Sequence, residues 1–449
     1  MARRMISYTK HGGDDMAQPV EPEPKPTTAG ISGRTKLIAG IVVAVLIVGI
    51  TSGIVYVLSQ TPASAFGIVR VGFSISLTGQ YNVEGKNSLT GIETAAKWIN
   101  DHGGVEVNGK AYSVDLDYYD DASDPTNVVN LYPRIITQDN AQFLLAPYSS
   151  ALTGAAAPLA DQYDRILLSH GGSSNTLWTK GYRNLVEVLS PATTYLDGPL
   201  DWIKANHPTD KIAFLYADDA FSIVAGRAAV AHAQQLGLAN ASIQTYPNKG
   251  TTDFHTQLNA AKAAGADDLI GGGHFQDGQA IVSQLSSVNW KPKIVSLLVA
   301  VTEPSFQSGL GAAANNVTGP SQWESAVNYT PALAATQGFT WFGPSSADFT
   351  TLYKSIHSGL APTYHSGEAA ASLFILVKAI ETANSLNTTA VRQALAQMKV
   401  MTFFGGFQVD STGLQTAHTM VLVQWQDGQL KVVQPAAVAQ SSVRYPYIP

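Results

Sequence analysis

Residues 141–177 read AQFLLAPYSSALTGAAAPLADQYDRILLSHGGSSNTL. The run AQFLLAP (141–147) ends in Tyr148-Ser149-Ser150, apolar residues at helical spacing follow, and RILLSHG (165–171) then leads into Gly171-Gly172-Ser173-Ser174. Short apolar runs bounded by turn residues are buried strands, and two of them joined by a helix form a β-α-β unit of a parallel sheet. At each strand end, hydroxyls and free backbone N–H groups meet the positive end of a helix, a corner that suits a carboxylate or another small anion. Gly171 and Gly172 permit close backbone approach there. One such corner is ordinarily a plain helix cap. Two of them at the carboxyl ends of neighbouring strands mark the place where open α/β sheets bind ligands.

The alternation extends outward in both directions. Candidate strands are 69–77, 112–119, 211–217, 241–247, 268–274 and 293–299, with candidate helices between them, such as 87–100, where Leu89, Ile92, Ala96 and Ile99 share one face. Eight such strands suit one barrel or two doubly wound sheets. The last third, however, changes to consecutive helical segments (345–358, 366–383, 388–398) and ends in a hairpin-like pair around Asp427-Gly428. The chain is therefore read as α/β, with two doubly wound parallel-sheet lobes joined by three crossover segments, near residues 190, 322 and 400. The first lobe would comprise 68–190 and 323–399, and the second 191–322 and 400–449.

The N-terminus has its own pattern. LIAGIVVAVLIVGITSGIVYVL (37–58) carries no charge over 22 residues, long enough to span a bilayer, with Arg34 and Lys36 before it and no Lys or Arg in 59–68. This predicts a disordered cytoplasmic segment (1–36), a transmembrane anchor, a linker (59–67) and an extracytoplasmic remainder at the cell membrane. The length favours a retained anchor over a cleaved signal, although Ala63-Ser64-Ala65 has the small residues of a cleavage site.

Composition narrows the function. Charged residues make up 13% of the 449, about half the usual share in soluble domains, and the net charge of −6 gives no basic excess for nucleic acid. The absence of cysteine excludes disulfides, thiolate metal sites and cysteine nucleophiles. GLGAAA (309–314) does not follow a strand and reads as a helix end and loop rather than a dinucleotide fingerprint. The aspartates from Asp115 to Asp124 lack the glycine and glutamate of a calcium loop and read as a strand end, a turn and a helix cap. Nothing pairs the serines of HGGSSN (170–175) with a base. No catalytic residue, metal or cofactor is expected.

Behind VGFSISLTGQYNVEGKNSLTGIETAAKWINDHGGV (71–105) and YYDDASDP (118–125), these corners resemble the branched-chain amino acid (Leu/Ile/Val) binding proteins of ATP-driven ABC importers, which have the type I periplasmic-binding-protein fold. The resemblance covers most of residues 69–434. It implies a solute clasped between the lobes, with Ser150, Ser173 and the Gly171 backbone holding its carboxylate beside Tyr148 and Ser149. It further implies that Phe221 and Phe275, where leucine-type binders have Tyr, cover the solute from the second lobe. The family's acid for the ligand ammonium is missing from LLVAVTEP (297–304), where apolar residues stand, and Glu303 lies beyond reach; this leaves Glu84 in the first loop as a candidate. Trp323 is either a pocket wall or a hinge residue. The expected partners are a small carboxylate-bearing solute, ABC permease subunits and the membrane, with a monomeric binding unit. A sensor or adhesion ectodomain on the same fold is the alternative from another class, and a binder of amides or organic acids the alternative ligand range.

Overall fold

The computed structural model describes residues 4–6 and 66–448, so the expected anchor at 37–58 and nearly all of the linker lie outside the described residues. The first sheet contains β1 (Arg4–Ile6), β2 (Gly67–Ile75), β3 (Val105–Val107), β4 (Lys110–Asp120), β5 (Phe143–Leu145), β6 (Leu167–Ser169) and β7 (Leu185–Glu187), ordered β1-β4-β2-β5-β6-β7 with β3 against β4. The second is built on β8 (Lys211–Ala217), β9 (Ala239–Tyr246), β10 (Asp268–Gly272), β11 (Val295–Leu297) and β12 (Thr318–Ser321). A small sheet joins β13 (Thr340–Trp341), β14 (Val400–Thr402) and β15 (Gly405–Phe407), and the hairpin β16 (Val421–Gln426) and β17 (Gln429–Gln434) then extends the second sheet beyond β12.

Both lobes share one parallel order, β4-β2-β5-β6-β7 in the first and β9-β8-β10-β11-β12 in the second. In each, the chain direction around the sheet reverses beside the first parallel strand, at β2/β5 and at β8/β10. Such a switch point opens a crevice at the carboxyl ends of the strands. Strands β5, β6, β10 and β11 are buried at every residue, as expected for parallel strands covered by helices on both faces. Asp427 and Gly428 both have positive φ, which is the turn geometry a two-residue hairpin favours. Asp124 caps the helix Pro125–Thr137 through the Thr126 N–H, as the Asp-Pro signal implied.

Three expectations need correction. Residues 4–6 are not part of a free segment, because β1 pairs antiparallel with β4 at the edge of the first sheet. The third crossing lies beyond residue 400: Val400, Phe403, Phe404, Phe407 and Val409 pack in the first lobe's core, and Gln415 is still bonded to Glu187 and Val188. The chain reaches the second sheet only between His418 and Val421, with His418 Nε2 bonded to the Gln322 carbonyl on the way. Strands β7 and β12 also went unread in the sequence. β7 has three residues and includes a buried glutamate, while β12 contains Gly319 and Pro320 and registers with β11 only at Thr318.

Among the described residues no single helix is long and apolar enough to cross a membrane. The helix Tyr364–Ala383 is instead the buried centre of the first lobe, where Gly91 of the helix Asn82–Asp101 meets its backbone. A Cβ at Gly91 would lie 2.0 Å from the Ser366 carbonyl oxygen, so the two helices must separate to admit any side chain. Gly91→Leu is expected to lower stability by about 1–3 kcal/mol or more, read as a lower urea midpoint at unchanged slope.

Candidate functional site

The two switch points face each other across a narrow cavity bounded by Tyr148, Gly171, Ser173, Leu189, Tyr195 and Tyr364 with Phe221, His274, Val299 and Glu368. The lobes close over it through direct bonds. Tyr148 Oη lies 3.0 Å from His274 Nδ1, and Glu84 Oε1 accepts the Phe275 N–H at 3.0 Å. Glu303 accepts from Asn87 Nδ2 and lies beside His365 Nδ1, at 2.7 Å in each case. Asn248 Nδ2 donates to Tyr81 Oη at 2.9 Å.

Local sequence explains the placement of each wall residue. Tyr148 follows β5 directly, and Gly171 follows β6; a Cβ at Gly171 would come within 2.9 Å of the Tyr148 Cα, so only glycine lets the two loops touch. Phe221 sits in the loop after β8, where Asp219 Oδ1 accepts the N–H groups of Phe221 and Ser222 and thereby caps the helix Ser222–Leu236. His274 is the N-cap of the helix Phe275–Gln284, in a capping box with Asp277. Val299 has φ of +49°, a rare conformation for a β-branched residue and one found chiefly at functional sites.

Charge is unevenly distributed in this cleft. Burial alone would lower the His274 pKa, but Asp219, 3.5 Å from Nε2, together with Glu84 and Asp277, raises it to about 9. His274 is thus an imidazolium at neutral pH; its Nδ1–H donates to Tyr148 Oη, and the tyrosine hydrogen stays available to a bound group. Burial, with Glu303 as a second cause, pushes the Glu368 carboxyl well above the usual range. Tyr195 accepts from Ser173 Oγ at 3.4 Å and from Gln322 Nε2 at 2.7 Å, which ties the wall to the crossing segments.

Of the residues anticipated from sequence, Tyr148, Gly171, Ser173 and Phe221 line the cavity. Five do not. Ser150 Oγ accepts the N–H groups of Ser173 and Ser174, both at 3.1 Å, so it holds the second corner in shape rather than the solute. Ser149 is buried beside Tyr81. Phe275 belongs to the second lobe's core, because the N-cap position turns His274 inward instead. Glu84 is engaged by the Phe275 N–H, and Trp323 packs against Gly367, Phe349 and Phe403 within the first lobe. His274, Tyr195, Tyr364 and Glu368 were missed; a helix-start reading of GGHFQD would have exposed His274, but no local motif distinguishes Glu368 from an ordinary helical glutamate. Among the described residues no group of three His, Asp or Glu side chains converges as a metal site.

Ser150→Ala removes the acceptor for two buried N–H groups, at about 1–3 kcal/mol for each group left unpaired. Weaker solute binding is expected along with a lower midpoint, read by titration and thermal unfolding of the same sample.

Two doubly wound lobes, three crossings and a closed cavity between facing switch points define a two-lobed solute-binding protein. The chain belongs to the periplasmic binding protein family, whose model matches residues 68–429. It is 24% identical over 405 residues to the Leu/Ile/Val-binding protein homolog 7 of Brucella suis, covering 86% of this chain and 95% of that protein. The isoleucine complex of the branched-chain amino acid transporter substrate-binding protein LivJ from Streptococcus pneumoniae superposes with a TM-score of 0.69 at 18% identity, over 84% of this chain and 100% of LivJ. An ABC transporter solute-binding protein of Rhodopseudomonas palustris in complex with 3,4-dihydroxybenzoic acid gives 0.67 at 19%, over 81% and 95%. The resemblance seen in the sequence is borne out.

Proposed function

We propose that this chain captures a small amino acid of branched-chain type in the interlobe cavity and presents the closed form to an ABC importer, with no chemistry done on the solute. The observation that carries this reading is the cavity itself. It has a pole suited to an anion at Gly171, Ser173 and the Tyr148–His274 pair, and apolar walls at Leu189, Val299 and Phe221. Similarity to Leu/Ile/Val-binding relatives supports the ligand class. Residues 37–58 tether the lobes to the outer face of the membrane in this reading. A tag at residue 1 probed on intact cells tests this: protection from outside supports a single crossing with β1 unpaired, whereas accessibility, with β1 held in the first sheet beside β4, overturns a single crossing at 37–58.

One observation favours a second ligand class. Tyr148, Tyr195, Tyr364 and Phe221 wall the cavity with rings, and a similar fold holds 3,4-dihydroxybenzoic acid. Thermal unfolding of the full chain against Leu, Ile, Val, hydroxybenzoic acids, amides and sugars separates the two. A solute at 100 times its Kd raises stability by about 2.7 kcal/mol. A shift with Leu, Ile or Val supports the proposal, a shift with hydroxybenzoates alone moves the ligand class, and no shift with any compound returns the fold to a sensor or adhesion role.

A further inference from the structure

We propose that Glu368, on the first lobe's central helix, is the residue that receives the cationic group of the solute and so restricts binding to zwitterions. The inference rests on the amino-acid reading above and goes beyond it by assigning a specificity residue. Glu368 forms part of the cavity wall and is 1% exposed, yet among the described residues neither of its carboxyl oxygens has a hydrogen-bond partner. Among the described residues every other buried acid of the cleft has at least one oxygen engaged: Glu84 by the Phe275 N–H, Glu303 by Asn87 and His365, Asp219 by two backbone N–H groups, and Asp277 by Tyr246 and the His274 N–H. A buried carboxyl with no partner is costly unless a ligand completes it.

The surroundings define what completes it. The wall segment Leu298, Val299, Ala300 offers no acid, and the opposite chemistry, an imidazolium with a tyrosine hydroxyl and the Gly171–Ser173 corner, occupies the same cavity. A solute with an anionic and a cationic group satisfies both poles at once, whereas a plain carboxylic acid leaves Glu368 unpaired. Glu303 nearby adds negative potential, which further favours a cation at this pole.

The assignment has a thermodynamic signature. With the cavity empty, Glu368 holds its proton, because burial and Glu303 both oppose ionisation. An ammonium group arriving beside it favours the carboxylate, so the carboxyl proton passes to the buffer while the ammonium keeps its own three. Binding of an amino acid near pH 7 should therefore release protons.

Calorimetric titration of the full chain with isoleucine at pH 7, in buffers of different ionisation enthalpy, reads that proton directly in the wild type. Glu368→Gln should abolish the release and weaken isoleucine at least tenfold, as expected for loss of a charge-assisted bond. It should leave 4-methylpentanoate, a branched carboxylate without the ammonium, unchanged or tighter. Isoleucine binding by the wild type without proton release, or an unweakened variant, overturns the assignment. So does wild-type preference for 4-methylpentanoate, which leaves the solute-binding reading intact; failure of every solute in the thermal panel would overturn that reading instead. Should the variant not fold, the wild-type proton count still decides.

Discussion

Trp323→Ala should lower stability by about 3–5 kcal/mol, the usual range for truncating a buried aromatic residue. The side chain is 1% exposed; its ring lies where a Cβ on Gly367 would stand 2.7 Å away, and the edges of Phe349 and Phe403 meet it at centroid distances of 6.1 and 5.2 Å. Helix Tyr364–Ala383 can move into this void only by separating Ser366 from Gly91 on its other side. Because Trp323 lies outside the cavity wall, solute affinity should be unchanged at temperatures where the variant is folded. Denaturant unfolding and titration on one sample check both halves; a lost affinity with an intact fold would return Trp323 to the pocket.

Stability should fall as pH rises from 6 to 9. Burial raises the Asp268 carboxyl to about 7 and drives Glu187 and Glu368 well above the usual carboxylate range, whereas Asp121, raised to about 6, has completed its loss by the start of this window. A carboxyl whose pKa is higher in the folded state contributes stability that is fully present below its unfolded value and is lost as pH rises through the folded one. His274 adds to the same trend: with a folded value of about 9, its contribution is complete below 6.5 and lost between 6.5 and 9. A tenfold difference in proton affinity between the folded and unfolded chain is worth about 1.4 kcal/mol, so the combined loss amounts to several kcal/mol. Below pH 6 two groups act in the opposite direction. Burial lowers His170 to about 3 and His418 to about 4, and their neutral folded forms lose stability as pH falls from 6.5. From about pH 4 upward the four raised carboxyls outweigh these two histidines, so the midpoint is expected to peak below pH 6, and a flat or rising profile from pH 6 to 9 would show that these carboxyls are solvated.

The parallel strands could be read from the chain because burial on both faces leaves continuous apolar runs, as in AQFLLAP and KIAFLYA. β7 and β12 could not, since LVE and TGPS owe their place in the sheets to neighbours distant in sequence. The late crossing was misplaced because 400–409 is as apolar as a second-lobe strand, and only the pairing of β14 with β13 assigns it to the first lobe. At the site, the strand-end corners were legible because glycine and serine follow apolar runs directly. Which neighbour in the pair His274-Phe275 faces the cavity depends on the phase of one helix cap, and Glu368 reaches the wall only because a central helix, far along the chain, begins there.

The central claim is that one small zwitterion is held between Tyr148, Ser173, Phe221 and His274. Calorimetric titration of the full chain with isoleucine, run beside Ser173→Phe, which fills the cavity, tests it most directly. One site per chain in the wild type and no saturable heat in the variant is the predicted result. Equal binding by both, or no binding of any amino acid by a folded wild type, would contradict it.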